Sequence, residues 1–322
     1  MANIENIGEN IMIIAGIIAY ILGVIGNILN ICVFTVWSHL SRTGQRNNDR
    51  VRTNNSSLYL LTSSWANLIT VVYPLLTRIL VDGFEYGLNV NNIFILCKFR
   101  YYVLFTGDLI SLTCVCLAVI DRYLISSREV RLRQLSPTRY QTKLIIYGLI
   151  CIIILHGIPL CVYFNVSVLG ECTILSNSFS TYFLYVFQIL LHGIFPICFH
   201  LIFGILTYKQ LRMVHTQHNV HFDKQFSHML LLISITIIVS ALPYSGEQLY
   251  YAVKSNDDYR VSSVIFIYHV ISSILFYTNA VASFYVYFMS TPNFRRQIWK
   301  FLHCNRNDHH FINHVHVTTV TK

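Results

Sequence analysis

Asp121, Arg122 and Tyr123 close a run, Ser111–Ile120, whose residues are apolar or small. Charge at membrane depth is expensive and persists where it switches something, so an ionised Asp-Arg pair at the mouth of an apolar helix points to a charge-based switch. The plainer reading is a helix-end salt bridge worth under about 1 kcal/mol if exposed. Asp108 stands among apolar residues, about four helical turns before Arg122, and Glu247 follows Pro243 by one turn. Each of these acids either contacts a ligand or pairs internally. Arg78 and Arg100 top apolar segments, where an arginine either meets a ligand or snorkels to the interface. No Ser/His/Asp, HExxH or Walker arrangement supports an enzyme, so binding and switching are the chemistry to expect, with neither cofactor nor catalytic metal.

These residues need a membrane around them. Of the 322 residues, 54% are hydrophobic and only 11% charged, more apolar surface than one soluble core can hide. The net charge of +9 does not point to nucleic acid, because the basic residues cluster between apolar runs, as anionic-leaflet contacts and topology signals do. Seven apolar segments, near 11–37, 58–80, 94–124, 143–164, 181–208, 226–251 and 261–289, are each long enough for about 30 Å of hydrocarbon at about 1.5 Å per residue. The fold class expected is an all-α membrane protein, a seven-transmembrane helix bundle with a short amphipathic eighth helix. Residues 1–10 read as an external tail, 11–289 as the bundle, 290–304 as the eighth helix and 305–322 as a disordered cytoplasmic tail.

Orientation follows from the loops. The connections after segments one, three and five, with the tail, hold 18 of the 23 Lys and Arg residues, which assigns that side to the cytoplasm and the amino terminus to the outside. Of nine cysteines, six lie within apolar segments and Cys304 lies in the tail. Only Cys97 and Cys172 fall in external, oxidising surroundings, where they form the one plausible disulfide. Asn165-Val166-Ser167 is a glycosylation sequon on the same side. Phe294, Ile298, Phe301 and Leu302 share one helical face after Thr291-Pro292, with basic residues elsewhere, so this stretch reads as a helix on the inner leaflet, and Cys304 at its end as a palmitoylation site.

Over residues 11–303 the chain resembles a rhodopsin-like (class A) G-protein-coupled receptor. The resemblance rests on Gly26-Asn27, on Cys97 standing 25 residues before Arg122 of Asp-Arg-Tyr, on Pro196 and Pro243, and on Tyr287 seven residues before Phe294-Arg295. It implies an extracellular ligand, a heterotrimeric G protein on the cytoplasmic face and a place in the plasma membrane, with Asp121, Arg122, Tyr123, Asp223 and Tyr287 in the switch. Asn67, Ser111 and Asn279 match polar positions of the family's internal sodium site, but Asn67 replaces its aspartate, and a neutral amide attracts sodium far less than a carboxylate does. Ser240-Ala241-Leu242-Pro243 lacks the family's sixth-helix tryptophan, and Ser283-Phe284-Tyr285-Val286-Tyr287 lacks the seventh-helix proline. The loop ISSREVRLRQLS and the opening FDKQFSHMLL are similar to invertebrate receptors of the FMRFamide-peptide kind and their divergent orphan relatives, which implies a peptide or chemosensory ligand. Segment seven holds no lysine for a retinal Schiff base, and the repeated halves of a transporter are not found. The alternative is a degenerate seven-helix protein that binds a ligand or partners without activating a G protein.

By the same resemblance Asp223, twenty residues before Pro243, reaches toward Arg122; twenty helical residues span about 30 Å, from the level of the proline to the cytoplasmic end. The competing reading is an acid favoured at a helix start by the macrodipole. A lock of this kind predicts that Asp223→Ala removes about 0.5–2 kcal/mol from the inactive state and raises ligand-free signalling a few-fold. Unchanged basal signalling at matched surface expression, in protein shown to couple, leaves Asp223 a helix-start residue.

Overall fold

The computed structural model describes residues 2–43, 55–84, 93–127, 129–166, 172–174, 176–213, 220–254 and 263–303. Cys304, the histidine-rich tail, Ser167 of the sequon and the side chain of Asp223 lie outside the described part. Among the described residues seven helices are long and apolar enough to cross a membrane and mark a multi-pass membrane protein. They are α1 (Ala2–Thr43), α2 (Asn55–Gly83), α3 (94–126), α4 (Arg139–Tyr163), α5 (177–213), α6 (Val220–Lys254) and α7 (Ser263–Ser290); α8 (Pro292–Leu302) follows. Helices are the economical solution in hydrocarbon, because each satisfies its own backbone hydrogen bonds.

Local chemistry sets several boundaries. Thr138 caps α4 through a reciprocal capping box with Gln141, just after Pro137. Pro292 occupies the first turn of α8, where its missing N–H is no loss. In α2 a wide π-helical turn, Val71–Leu75, surrounds Pro74 and absorbs the hydrogen bond that proline cannot donate. Residues 2–10, read from sequence as a tail, continue α1 as helix: no proline interrupts the stretch, and the Asn10 amide donates back to Asn6 O at 2.7 Å. Asp223 falls in the first turn of α6, so its backbone is helical from the start.

The helix most enclosed by its neighbours is α3, whose most apolar window is 78% buried, against 22% for α4. Exposed apolar side chains such as Ile152, Leu155 and Val162 face outward from α4, the inverse of a water-soluble surface. Close helix approach depends on small residues. A Cβ on Gly157 of α4 would lie 2.3 Å from Thr106 Cγ2 on α3, and one on Gly26 of α1 would lie 2.9 Å from Phe284 Cβ on α7. Beside Gly26, the Asn27 amide donates to Gly23 O at 2.8 Å and across to Ala280 O at 2.9 Å, tying α1 to α7.

At one end an aromatic cluster of Phe34, Trp37, Tyr287 and Phe294 docks α8 against α1 and α7. The apolar face of α8 is thereby divided: Phe294 and Ile298 are buried in the bundle, whereas Phe301 and Leu302 stay exposed. At the other end a short antiparallel hairpin, β1 (Phe164–Val166) with β2 (Cys172–Ile174), follows α4. An all-α reading does not anticipate it, since three-residue strands carry no usable periodicity. Phe164 joins Phe105, Phe179, Phe183 and Phe187 in a core beneath the hairpin.

Cys97 and Cys172 form a disulfide, with Cα atoms 5.7 Å apart, which pins β2 to the first turns of α3. Replacing either with Ser should release the hairpin and lower surface expression, since native disulfides in small secreted domains typically contribute about 2–5 kcal/mol. Mass spectrometry finding both thiols free in surface-expressed protein would contradict the bridge.

Candidate functional site

The two ends of α3 carry separate polar assemblies. At the end away from the disulfide, Asp121 and Arg122 are both 1% exposed. Ser56 of α2 stands between them: Arg122 Nε donates to Ser56 Oγ at 2.9 Å, and the Ser56 hydroxyl donates to Asp121 Oδ2 at 2.5 Å. The other carboxylate oxygen, Oδ1, accepts from the Ser136 hydroxyl at 3.0 Å. Asn55 holds that loop in place by donating to Pro137 O at 2.5 Å. The Asp121 carboxylate thus accepts two hydroxyl hydrogen bonds beside the Arg122 guanidinium, and charge-assisted bonds of this kind are the stronger ones. Tyr123 points elsewhere and packs edge-on against Phe203 of α5, ring centroids 5.7 Å apart. Tyr287 is buried in the aromatic cluster against Phe34.

Midway along the bundle, Asp108 is buried and hydrogen-bonded to Asn279 of α7. His192 of α5 approaches it, with Nε2 3.7 Å from Asp108 Oδ2. The imidazole also lies 2.8 Å from Phe187 O through Nδ1 and 3.2 Å from Phe105 O through Nε2. Both ring nitrogens therefore face backbone carbonyls, Nε2 shared between Phe105 O and the Asp108 carboxylate. Of the residues matching a sodium site, Ser111 hydrogen-bonds Ser63 at 2.7 Å and Asn279 is engaged by Asp108, while Asn67 is buried on α2. Asp108 stands one turn of α3 before Ser111.

At the disulfide end, Arg78 and Arg100 are buried, with side-chain exposures of 11% and 6%, so the snorkelling reading fails for both. Asp82 reaches both guanidiniums, at 2.9 Å from Arg78 Nε and 3.9 Å from Arg100 Nη1. Glu247 is paired internally, accepting from Ser272 and lying 2.6 Å from His269 Nδ1, whose Nε2 is 3.1 Å from Arg78 Nη2. Asn165 sits in β1 opposite Thr173, its side chain accepting from Val166 N.

No protein-family model and no curated protein matches the chain. The geometry is what the functional reading has to stand on.

Sequence reasoning missed the partners more than the charges. Ser56 carries no signal in the sequence, because a lone hydroxyl has no pattern that marks it as a bridge. Asp82 had a signal: it follows Arg78 by four residues, the spacing of a helical ion pair. His269 and Ser272 lie on α7 with nothing in the sequence joining them to Glu247.

The hydroxyl bridge generates a stability prediction. Ser56→Ala strips one acceptor from Arg122 and one donor from Asp121 in a buried setting, and should destabilise the folded protein by about 1–3 kcal/mol. Thermal unfolding of the purified protein in detergent measures this, and a midpoint equal to wild type would show that the bridge is dispensable.

Proposed function

We propose that the chain is a rhodopsin-like (class A) G-protein-coupled receptor of the plasma membrane, with its amino terminus outside. An extracellular ligand, of peptide or chemosensory kind, shifts a two-state bundle toward a form whose cytoplasmic end accepts a heterotrimeric G protein. The observation that carries this reading is α3 itself: one enclosed helix is tied by Cys97–Cys172 to a hairpin at one end and presents a buried Asp121-Arg122 pair at the other. Disulfides form on the oxidising side of a membrane, which supports the disulfide end as the outer one.

Arg122 also borders a cleft with Val119, Gly204, Thr207, Leu230 and Ser234, where α3, α5 and α6 meet. Outward movement of α6 would widen this cleft and uncover the guanidinium for a partner. The coupling required is a differential affinity of about 1–3 kcal/mol between the two states.

A second reading is favoured by the altered switch segments, Ser240-Ala241-Leu242-Pro243 and Ser283-Phe284-Tyr285-Val286-Tyr287. In it the bundle binds ligand or partners without activating a G protein. A panel of candidate peptides tested for agonist-stimulated nucleotide exchange separates the two. We expect at least one peptide to accelerate exchange; peptides that bind the outer face with exchange unchanged would establish the second reading instead.

A further inference from the structure

Arg78 and Arg100 pose a charge problem that the described residues meet unequally. A guanidinium does not neutralise itself by losing a proton, so a buried one has to be met by acceptors and by negative charge. Among the described residues two carboxylates lie in this assembly. Glu247 is occupied by Ser272 and by His269, which relays its charge toward Arg78 through the other ring nitrogen. Asp82, about one-third exposed, serves both arginines, and serves them unequally: it is 2.9 Å from Arg78, with poor hydrogen-bond alignment, and only 3.9 Å from Arg100. Among the described residues Arg100 meets that distant carboxylate and the face of Tyr101, 4.8 Å from its ring centroid. Its buried Nη1 has no hydrogen-bond partner among the described residues.

We propose that the arginine pair is the binding site for the carboxylate of a ligand, which joins Asp82 and takes up the open hydrogen-bonding side of Arg100. Three features of the site specify the chemistry. A planar carboxylate already spans the two guanidiniums in the form of Asp82, so the spacing suits that shape. The Tyr101 ring lies against Arg100, its centroid 4.8 Å from the guanidinium carbon, which gives the site an aromatic wall and selects an acid carried on an apolar or aromatic body. Arg100 lies one helical turn from Cys97, placing the site directly beneath the disulfide-pinned hairpin. Glu247 and Asp108, in contrast, are consumed by His269 with Ser272 and by His192 with Asn279, which disfavours a cationic ligand group.

The proposal deepens the receptor reading and rests on it for the identity of the outer face, but its test needs no G protein. Binding is measured as thermal stabilisation of the purified full-length chain in lipid nanodiscs. The probes are 3-phenylpropionate, its amide, 3-phenylpropylamine, phenyl phosphate and N-acetylphenylalanine. Both carboxylates should stabilise the protein in a dose-dependent way, and the amide and amine should not. If N-acetylphenylalanine binds the tighter of the two, the natural source is the free carboxyl terminus of a peptide; if 3-phenylpropionate does, it is a small organic acid. Phenyl phosphate outdoing both carboxylates, or the amine or amide matching them, would overturn the proposal.

Arg100→Gln should weaken carboxylate binding about tenfold or more. Should that variant fail to fold, Asp82→Asn decides. Removing the internal anion leaves both guanidiniums short of charge, so carboxylate binding should tighten several-fold, and unchanged or weaker binding refutes the site. A failure of coupling appears only in nucleotide exchange and a failure of this site only in the stabilisation assay, so each is recognised separately.

Discussion

A buried guanidinium has five N–H donors and no means of shedding its charge, and Arg122 must be met from several directions at once. The protein answers with Ser56 from α2 and with the neighbouring Asp121, which is itself held by Ser136 from the following loop. Asn55 reaches across to the same loop. One charge thereby sets the relative positions of α2, α3 and the connection to α4. It also explains why α3 is the helix most enclosed by its neighbours: a helix with this burden cannot lie against lipid.

The same logic repeats along α3. At mid-depth Asp108 is met by His192 from α5 and Asn279 from α7, and at the disulfide end Arg100 meets Asp82 from α2. Each level joins α3 to one or more neighbours through polar contacts, to α2 at both ends and to α5 and α7 in between. Van der Waals packing between apolar helices in lipid has little preference for register, whereas a hydroxyl bridge at 2.9 Å has a strong one. These contacts fix the bundle's arrangement, while aromatic clusters of Phe34, Phe284 and Phe294 at one end and Phe105, Phe183 and Phe187 at the other pack its core.

The seven helices were legible from sequence because hydrocarbon imposes both length and composition, and those two quantities survive without any knowledge of contacts. The disulfide was legible for a related reason, since charge in the loops sorts cysteines by side. The hairpin was not, because Phe164–Val166 and Cys172–Ile174 are too short to show alternation. The start of α1 was missed because a polar stretch such as Ile4–Asn10 looks like a tail whether or not it is helical. Among the functional residues, charges were visible and their partners were not: an arginine in an apolar run is conspicuous, while Ser56, Ser136 and Ser272 are ordinary serines until the fold brings them to a carboxylate.

The outward face of α4 has a further consequence, for how the sequence can drift. Ile152, Leu155 and Val162 are exposed on the outside of the bundle with no shaped neighbour against them, and lipid tails accept any apolar outline. Such positions are held to a class of residue and not to an identity, so Leu, Ile, Val and Phe should exchange there freely over generations. Gly157, on the opposite side of the same helix, has no such latitude, because Thr106 leaves no room for a Cβ. A single helix thus carries two rates of change, one on each side. Distant relatives of this chain should agree along a stripe containing Gly157 and differ almost everywhere else on α4.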